Sequence, residues 1–315
     1  MAEERPRTEP EAAELGAEEQ RCGFIALLGA PNAGKSTLVN RLVGAKVSIV
    51  SPKVQTTRNR VMGIAIEGPA QLIFIDTPGI FAPRRRLDRA MVQAAWRGAA
   101  EADLIVTLVD AARRAIDPDT ARIIAGLKDI KRKAILALNK IDLIKRERLL
   151  ALARRFDEEG VFTDIFMISA ETGDGVDDLR KTLAARVPPG PWHFPEDQLS
   201  DMPMRLLAAE ITREHLFRQL HQELPYALTV ESESWEDFKD GSVRVQQVIF
   251  VQRDSQKAIV LGKNGQRIRA IRAAAQAELE EILGRRVHLF LYVKVREDWL
   301  EDPARFREMG LDFNV

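Results

Sequence analysis

The chain has 315 residues, 45% of them hydrophobic and 30% charged, with 47 basic against 47 acidic side chains. That length is too great for one ordinary core and suits two domains. The even charge balance excludes a global field that steers nucleic acid, no run reaches the 18 or so apolar residues of a membrane span, and the single cysteine, Cys22, excludes an intrachain disulfide and fits a reducing cytosol.

Residues 1–20 carry seven acidic side chains, two arginines and no apolar core of a secretory signal, so a disordered acidic tail is expected there. From Phe24 the runs Phe24–Leu28, Leu72–Ile75, Leu104–Val109, Ala134–Leu138 and Ile165–Ile168 alternate with helical segments. That rhythm predicts an α/β domain over 21–187, with a mostly parallel sheet and helices on both faces. "VMGIAIEGPAQLIFIDTPG" departs from it as a hairpin, which adds one antiparallel strand. The proline-rich stretch 188–203 cannot continue a helix and reads as a linker. Beyond it a helix, strands, "KAIVLGKNG", a long helix and a last strand make a smaller α+β domain over 204–302, followed by a tail, 303–315. In the last strand Val287, Leu289, Leu291, Val293 and Val295 alternate, which reads as a half-buried antiparallel strand.

"GAPNAGKST" (Gly29, Ala30, Pro31, Asn32, Ala33, Gly34, Lys35, Ser36, Thr37) follows the first strand and opens a helix. Small residues let backbone N–H groups converge on phosphates, and the helix N-terminus adds partial positive charge. Lys35 can then reach the β- and γ-phosphates and the Ser36 hydroxyl can ligate Mg²⁺. "DTPG" (Asp76, Thr77, Pro78, Gly79) closes the next apolar strand, placing a carboxylate for Mg²⁺ and a glycine N–H for the γ-phosphate. "NKID" then selects the base. The Asp142 carboxylate matches the N1–H and amine of guanine, Asn139 can meet the guanine edge, and the Lys140 stem can lie along the ring. In "MISAETG" the N–H groups of Ser169 and Ala170 are expected to hold the guanine oxygen. Together these predict a GTP/GDP and Mg²⁺ site.

Between Ser255 and Ala277 there are five basic residues and no acidic one, grouped about the GKNG turn (Gly262, Lys263, Asn264, Gly265) with Arg267 and Arg269 behind it. Such a turn lets a nucleic-acid backbone pack on protein backbone, while Lys263 and the helix start attract phosphate. A type II KH clamp for single-stranded RNA is expected; the plainer alternative is a solvated basic helix face.

On these motifs, together with "SPKVQTTRNRVMGI" and "EITREHLFRQLHQELPYALTVE", the chain resembles the bacterial Era GTPases from about Arg21 to Asp302. The resemblance implies a P-loop GTPase domain followed by a KH domain. It also implies GTP hydrolysis, and binding of the 3′ end of small-subunit rRNA during assembly of the small ribosomal subunit. By the same match Thr57 is the switch threonine on Mg²⁺, with Thr56 as its competitor, and the catalytic set is Lys35, Asn32, Thr57 and Gly79. Ile80 stands where a water-orienting Gln would stand, so slow intrinsic turnover is expected. In related members an Asn at the place of Asn32 helps hold K⁺, and K⁺ is carried here as such an expectation; the alternative is a purely local role for Asn32. Arg84, Arg85 and Arg86 read as a solvated loop, with an arginine finger or an RNA contact as alternatives. A cytoplasmic monomer is expected. Two rival readings are an RNA-binding protein with nucleotide as a structural ligand, and a GTPase acting peripherally at the inner membrane.

Overall fold

The computed structural model describes residues 19–51, 53, 56–58, 60–113, 116–220, 224–297, 299 and 302–315. All but the last two residues of the expected acidic tail lie outside them. Strands β1 (Arg21–Gly29), β2 (Val61–Glu67), β3 (Ala70–Asp76), β4 (Leu104–Asp110), β5 (Ala134–Asn139) and β6 (Phe162–Met167) form one sheet in the order β2-β3-β1-β4-β5-β6. Neighbours are parallel except for β2, which pairs antiparallel with β3 in the expected hairpin.

Central β1 shows why its sequence is almost wholly apolar. Ile25 and Leu27 join one core with Leu38 and Leu42 of α1 (Lys35–Val43) and Leu179 and Leu183 of α5 (Val176–Arg186). Ala26 and Leu28 join the opposite core with Ala95 of α2 (Arg86–Glu101), Ile123 of α3 (Pro118–Asp129) and Phe156 of α4 (Arg146–Asp157). A strand covered on both faces by crossover helices has no solvent side to leave polar. Local signals set the helix starts: Asp117 caps α3, accepting from the N–H of Asp119 (3.0 Å) and Thr120 (3.1 Å), with Pro118 as its first residue. Because β3 and β4 lie on opposite sides of β1, the chain reverses direction there. The crevice at the carboxyl end of β1 is where such sheets receive ligands.

Residues 188–203 form a strap along the β2–β3 side of this sheet. The Ile64 N–H donates to Leu199 O (2.9 Å), the Cys22 N–H to Pro188 O (3.0 Å) and the Trp192 indole to Pro69 O (3.0 Å). Buried Gln71 is held by the strap in turn, accepting from the N–H of His193 (2.9 Å) and of Phe194 (3.0 Å).

The second unit comprises α6 (Met204–Gln219), β7 (Leu228–Asp237), β8 (Val243–Val251), α7 (Asp254–Leu261), α8 (Gln266–Leu283) and β9 (Val287–Val295). Its sheet has the order β7-β8-β9. β9 corrects one expectation: its alternation and half-burial are as read, but it runs parallel to β8. Two helices, α7 and α8, intervene between these strands and return the chain to the starting edge, so β9 pairs parallel. The run "AIVL" before GKNG lies in α7.

The segment after residue 302 contains α9 (Pro303–Glu308) and packs back on the first domain. Phe306 and Leu311 share a small core with Leu87, Ala90 and Met91 of α2. The Arg86 guanidinium lies 4.3 Å from the centroid of the Phe313 ring. The triple-arginine loop is thereby anchored: the Asp88 carboxylate accepts from the N–H of Arg84 (3.0 Å) and of Arg85 (2.9 Å), and Arg86 begins α2.

Candidate functional site

β1 ends at Gly29 and α1 begins at Lys35, so the intervening loop has to turn within five residues. Asn32 (φ 64°) and Gly34 (φ 100°) supply the left-handed backbone that this needs. Lys35 is 6% exposed and folds back on the loop, its Nζ donating to Gly29 O (3.1 Å) and Ala30 O (3.2 Å). Burial pushes its ammonium down to about 8, against the opposing pull of Asp76. A Cβ on Gly34 would stand 2.2 Å from Asn139 Nδ2. Gly34→Ala is therefore expected to destabilise the fold by about 2 kcal/mol or more through this clash and the positive φ; thermal unfolding of the ligand-free protein checks it.

Beside the loop, hydroxyls from three segments converge on Asp76 at the end of β3. Its Oδ2 accepts from Ser36 Oγ (2.7 Å), Ser48 Oγ (2.6 Å) and Thr57 Oγ1 (3.2 Å), and Ser36 Oγ lies 3.0 Å from Thr57 Oγ1. Burial pushes the Asp76 carboxyl above its usual range, opposed by those hydroxyls and by Lys35. Asp76 Oδ1 is buried without a hydrogen-bond partner among the described residues. Hard oxygen donors around an under-satisfied carboxylate suit Mg²⁺, so the residues present fit that ion. The two threonines separate here. Thr57 joins the cluster, whereas the Thr56 hydroxyl bonds Ser51 Oγ (2.6 Å) and Lys53 O (2.7 Å). Ser48 has no motif to announce it. It is placed by Asn40, whose Oδ1 accepts from the N–H of Val47 and of Ser48, both at 2.9 Å.

Gly79 passes so close to the loop that a Cβ would stand 3.0 Å from the Pro31 backbone, and the Ile80 N–H donates to Gly29 O (3.1 Å). Thr77 is structural, its hydroxyl bonding Leu27 O at 2.6 Å, and Pro78 is buried beside it. The Ile80 side chain is wholly buried in the core beneath α2, so it cannot orient a water at the phosphates.

At the base corner the residues expected to meet guanine also bond one another. Asn139 is buried and spans the site: Nδ2 donates to Ala33 O (2.8 Å) and Oδ1 accepts from the Ala170 N–H (2.9 Å). It staples the phosphate loop to the Ser169–Ala170 corner. The two amides expected to receive the guanine oxygen are engaged within the protein, Ala170 by Asn139 and Ser169 by Asp174 O (2.9 Å). Lys140 takes a left-handed turn (φ 68°), its ammonium fixed by Asp110 at 2.7 Å, and Asp142 is exposed. Thr37 and Ala170 line one cleft of about 540 Å³.

In the second domain the GKNG turn joins α7 to α8. Gly262 (φ 70°), Asn264 (φ 50°) and Gly265 (φ 71°) are left-handed, and a Cβ on Gly262 would stand 2.7 Å from Arg267 Cβ. Arg267 and Arg269 fold back to Ile259 O (2.6 Å) and Asn264 O (2.7 Å), which keeps positive charge on an exposed turn.

The segment that carries Thr57 is bonded to the second domain. Arg213 of α6 donates to Thr56 O, Arg58 donates to Leu228 O (2.8 Å), and Lys53 donates to the carbonyls of Phe217 and Leu220. Lys46 pairs with Glu214 of α6 (2.6 Å) and with Glu278 of α8, which also meets His215 at 2.8 Å. His215 first, then Lys46, hold Glu278 down to about 2, well below its ordinary 4.5. A carboxyl depressed on folding stabilises above its unfolded pKa, and that contribution fades as pH falls from about 4.5 towards 2. Glu278→Gln is thus expected to lose stability at pH 7 but match the wild type near pH 2; thermal melts across that range test it.

Family models match twice: "50S ribosome-binding GTPase" over residues 24–140 and "KH domain" over residues 223–300. GTPase Era of Sinorhizobium medicae is 64% identical over 293 residues, covering 93% of this chain and 94% of that protein. GTPase Era of Brucella suis is 58% identical over 306 residues, covering 97% and 98%. Two solved structures each superpose with a TM-score of 0.87 at 39% identity, over 92% of this chain and 99% of theirs. One is an Aquifex aeolicus Era variant bound to GDP and aluminium fluoride; the other is Era with MgGDPNP and nucleotides 1506–1542 of 16S ribosomal RNA.

Proposed function

Because the chain belongs to the GTPase Era family, we propose that GTP hydrolysis at its phosphate loop times the binding of single-stranded small-subunit rRNA at the GKNG turn, during assembly of the small ribosomal subunit. One observation carries this reading: Thr57 sits in the Ser36–Asp76 cluster while its neighbours Thr56 and Arg58 are bonded to α6 and β7. A γ-phosphate that reorders Thr57 has to pull on the second domain.

In this reading the N–H groups of residues 29–37 and the Lys35 ammonium hold the β- and γ-phosphates. Ser36, Thr57 and Asp76 hold Mg²⁺, which when bound neutralises charge on the phosphate oxygens. The Gly79 N–H fixes the γ-phosphate, Asp142 reads guanine, and Lys140 lies along the base. With Ile80 buried, intrinsic turnover is slow. Asn32 stands exposed at the loop tip, in position to share a K⁺ with the phosphates; equal turnover in K⁺ and Na⁺ removes that role. Gly262, Lys263, Asn264, Gly265, Arg267 and Arg269 grip the RNA backbone. The GTPase family description names the large subunit, but that match covers only residues 24–140 and not the clamp. The solved relative with small-subunit RNA matches the whole two-domain arrangement.

The test is binding of a short RNA matching the small-subunit 3′ end, at fixed salt, with GDP and with a non-hydrolysable GTP analogue. Tighter binding in the analogue form, lost in Gly265→Asp, is expected; equal affinity in both forms overturns the gating.

A further inference from the structure

Three hydroxyls converge on one oxygen of Asp76, and they differ in kind. Ser36 (2.7 Å) belongs to the phosphate-loop motif and Thr57 (3.2 Å) to the expected switch. Ser48 (2.6 Å) makes the shortest contact of the three and belongs to no motif. Asp76 is wholly buried and Ser48 nearly so. A hydroxyl about 2.5–2.7 Å from a carboxylate oxygen makes a charge-assisted bond, roughly twice as strong as a neutral one. Asn40 of α1 fixes that hydroxyl by gripping the Ser48 backbone on both sides. Its Oδ1 accepts from the N–H of Val47 and of Ser48, both at 2.9 Å, and its Nδ2 donates to Ser48 O at 2.7 Å. Both acceptor positions of the amide oxygen are used on this one turn. Because α1 opens at the phosphate loop, Asn40 ties Ser48 to that loop.

In the reading above, Ser36 and Thr57 each give an oxygen lone pair to Mg²⁺, so their contacts with Asp76 depend on the ion. Ser48 is outside that set, and its bond to Oδ2 stands without the ion. Oδ1 of the same carboxylate is buried with no hydrogen-bond partner among the described residues, which leaves its lone pairs for the metal. We propose that Ser48, clamped by Asn40, is a positioning residue for Mg²⁺, holding the Asp76 carboxylate in the orientation that the metal-bound nucleotide needs. It acts through Asp76 and is not itself a ligand. A carboxylate already oriented loses less freedom when the ion arrives, which is why the hydrogen-bond partners of metal-site groups govern metal affinity. The proposal rests on the Mg²⁺ reading of Ser36, Thr57 and Asp76. A purely structural bond would instead satisfy a buried carboxylate, support the fold and leave metal affinity alone.

The experiment follows release of a fluorescent, non-hydrolysable GTP analogue from the full-length protein as Mg²⁺ is lowered. It reads the Mg²⁺ concentration at which release reaches half its rate in EDTA. Ser48→Ala should raise that midpoint about 10- to 100-fold and leave the EDTA rate itself unchanged. Ser48→Thr keeps the hydroxyl and should keep the midpoint. Asn40→Ala retains all three hydroxyls but releases Ser48, and should move the midpoint in the same direction as Ser48→Ala. Ser36→Ala tests the metal site itself: if it leaves the midpoint unmoved, the Mg²⁺ reading fails and the proposal with it. If Ser36→Ala moves the midpoint and Ser48→Ala stays within about threefold of wild type, only the role of Ser48 is overturned. A lower melting temperature in Ser48→Ala with an unmoved midpoint assigns the bond to stability alone and also overturns it. So does a change in the EDTA rate as large as the change in midpoint, because the effect would then lie in the nucleotide pocket and not at the metal.

Discussion

Lys35→Ala is expected to lower kcat/KM for GTP by about 10³-fold while leaving the ligand-free fold as stable as the wild type. The loss follows from position, because Lys35 lies at the root of the phosphate loop and its ammonium is the charge that the transferring phosphoryl group would meet. The retained stability follows from burial. In the free protein Lys35 is 6% exposed and its ammonium donates to Gly29 O and Ala30 O. Removing it therefore relieves a desolvation cost as well as breaking two hydrogen bonds. The shift to about 8 gives a second signature. A lysine whose pKa is lower folded than unfolded loses its proton earlier in the native state, so native stability rises with pH between about 8 and 10.5. Melting the wild type and Lys35→Ala side by side over that interval should show this rise in the wild type alone. Bound nucleotide, by supplying counter-charge, should abolish it. A variant that hydrolyses GTP within tenfold of wild type would remove Lys35 from the chemistry.

Asp142→Asn is expected to weaken GTP and GDP binding by about 10²- to 10³-fold, from two charge-assisted hydrogen bonds of about 1.5–3 kcal/mol each, partly replaced by the new amide. The amide can donate where the carboxylate could only accept. Xanthine nucleotides, which carry a carbonyl in place of the guanine amine, should therefore gain affinity in the variant. Asp142 is exposed, so the melting temperature should not move, and the change isolates base reading from folding. Competition of GTP, ATP and XTP against a fluorescent GDP measures it; a variant that keeps GTP affinity within threefold of wild type denies Asp142 the role.

The parts of the molecule legible in the sequence are those with a short-range signature. Continuous apolar runs marked β1, β3, β4 and β5 to within three residues at each end, and "EGPA" marked the antiparallel pair of the first sheet. Ser36, Thr57 and Asp76 meet because the motifs that carry them sit at strand ends on one edge of the sheet. What escaped was relational. Asn139 bears the side chain expected at a guanine edge, yet only three dimensions reveal Ala33 O and the Ala170 N–H at either end of its amide. Ser48 reaches Asp76 from a loop with no motif, guided by a hydrogen bond to Asn40 eight residues earlier. The direction of β9 depends on where α7 and α8 deliver the chain, which alternation cannot encode. Residues 303–315 read as a tail because Phe306, Leu311 and Phe313 are too few for a core; their partners lie more than 200 positions away in α2.

The strap of residues 188–203 decides where the molecule can be divided. A GTPase half ending at Val187 would uncover the row of peptide groups on β2 that Leu199, Ser200 and Asp201 now cover, and the Gln71 carboxamide would lose its partners on His193 and Phe194. A bare, flat rim of that kind invites strand addition from a second molecule. A half ending after Met202 keeps its rim sealed and should stay monodisperse where the shorter one clumps. During synthesis the same geometry imposes an order: the first domain cannot finish its own border until some fifteen residues of what looks like connecting chain have left the ribosome.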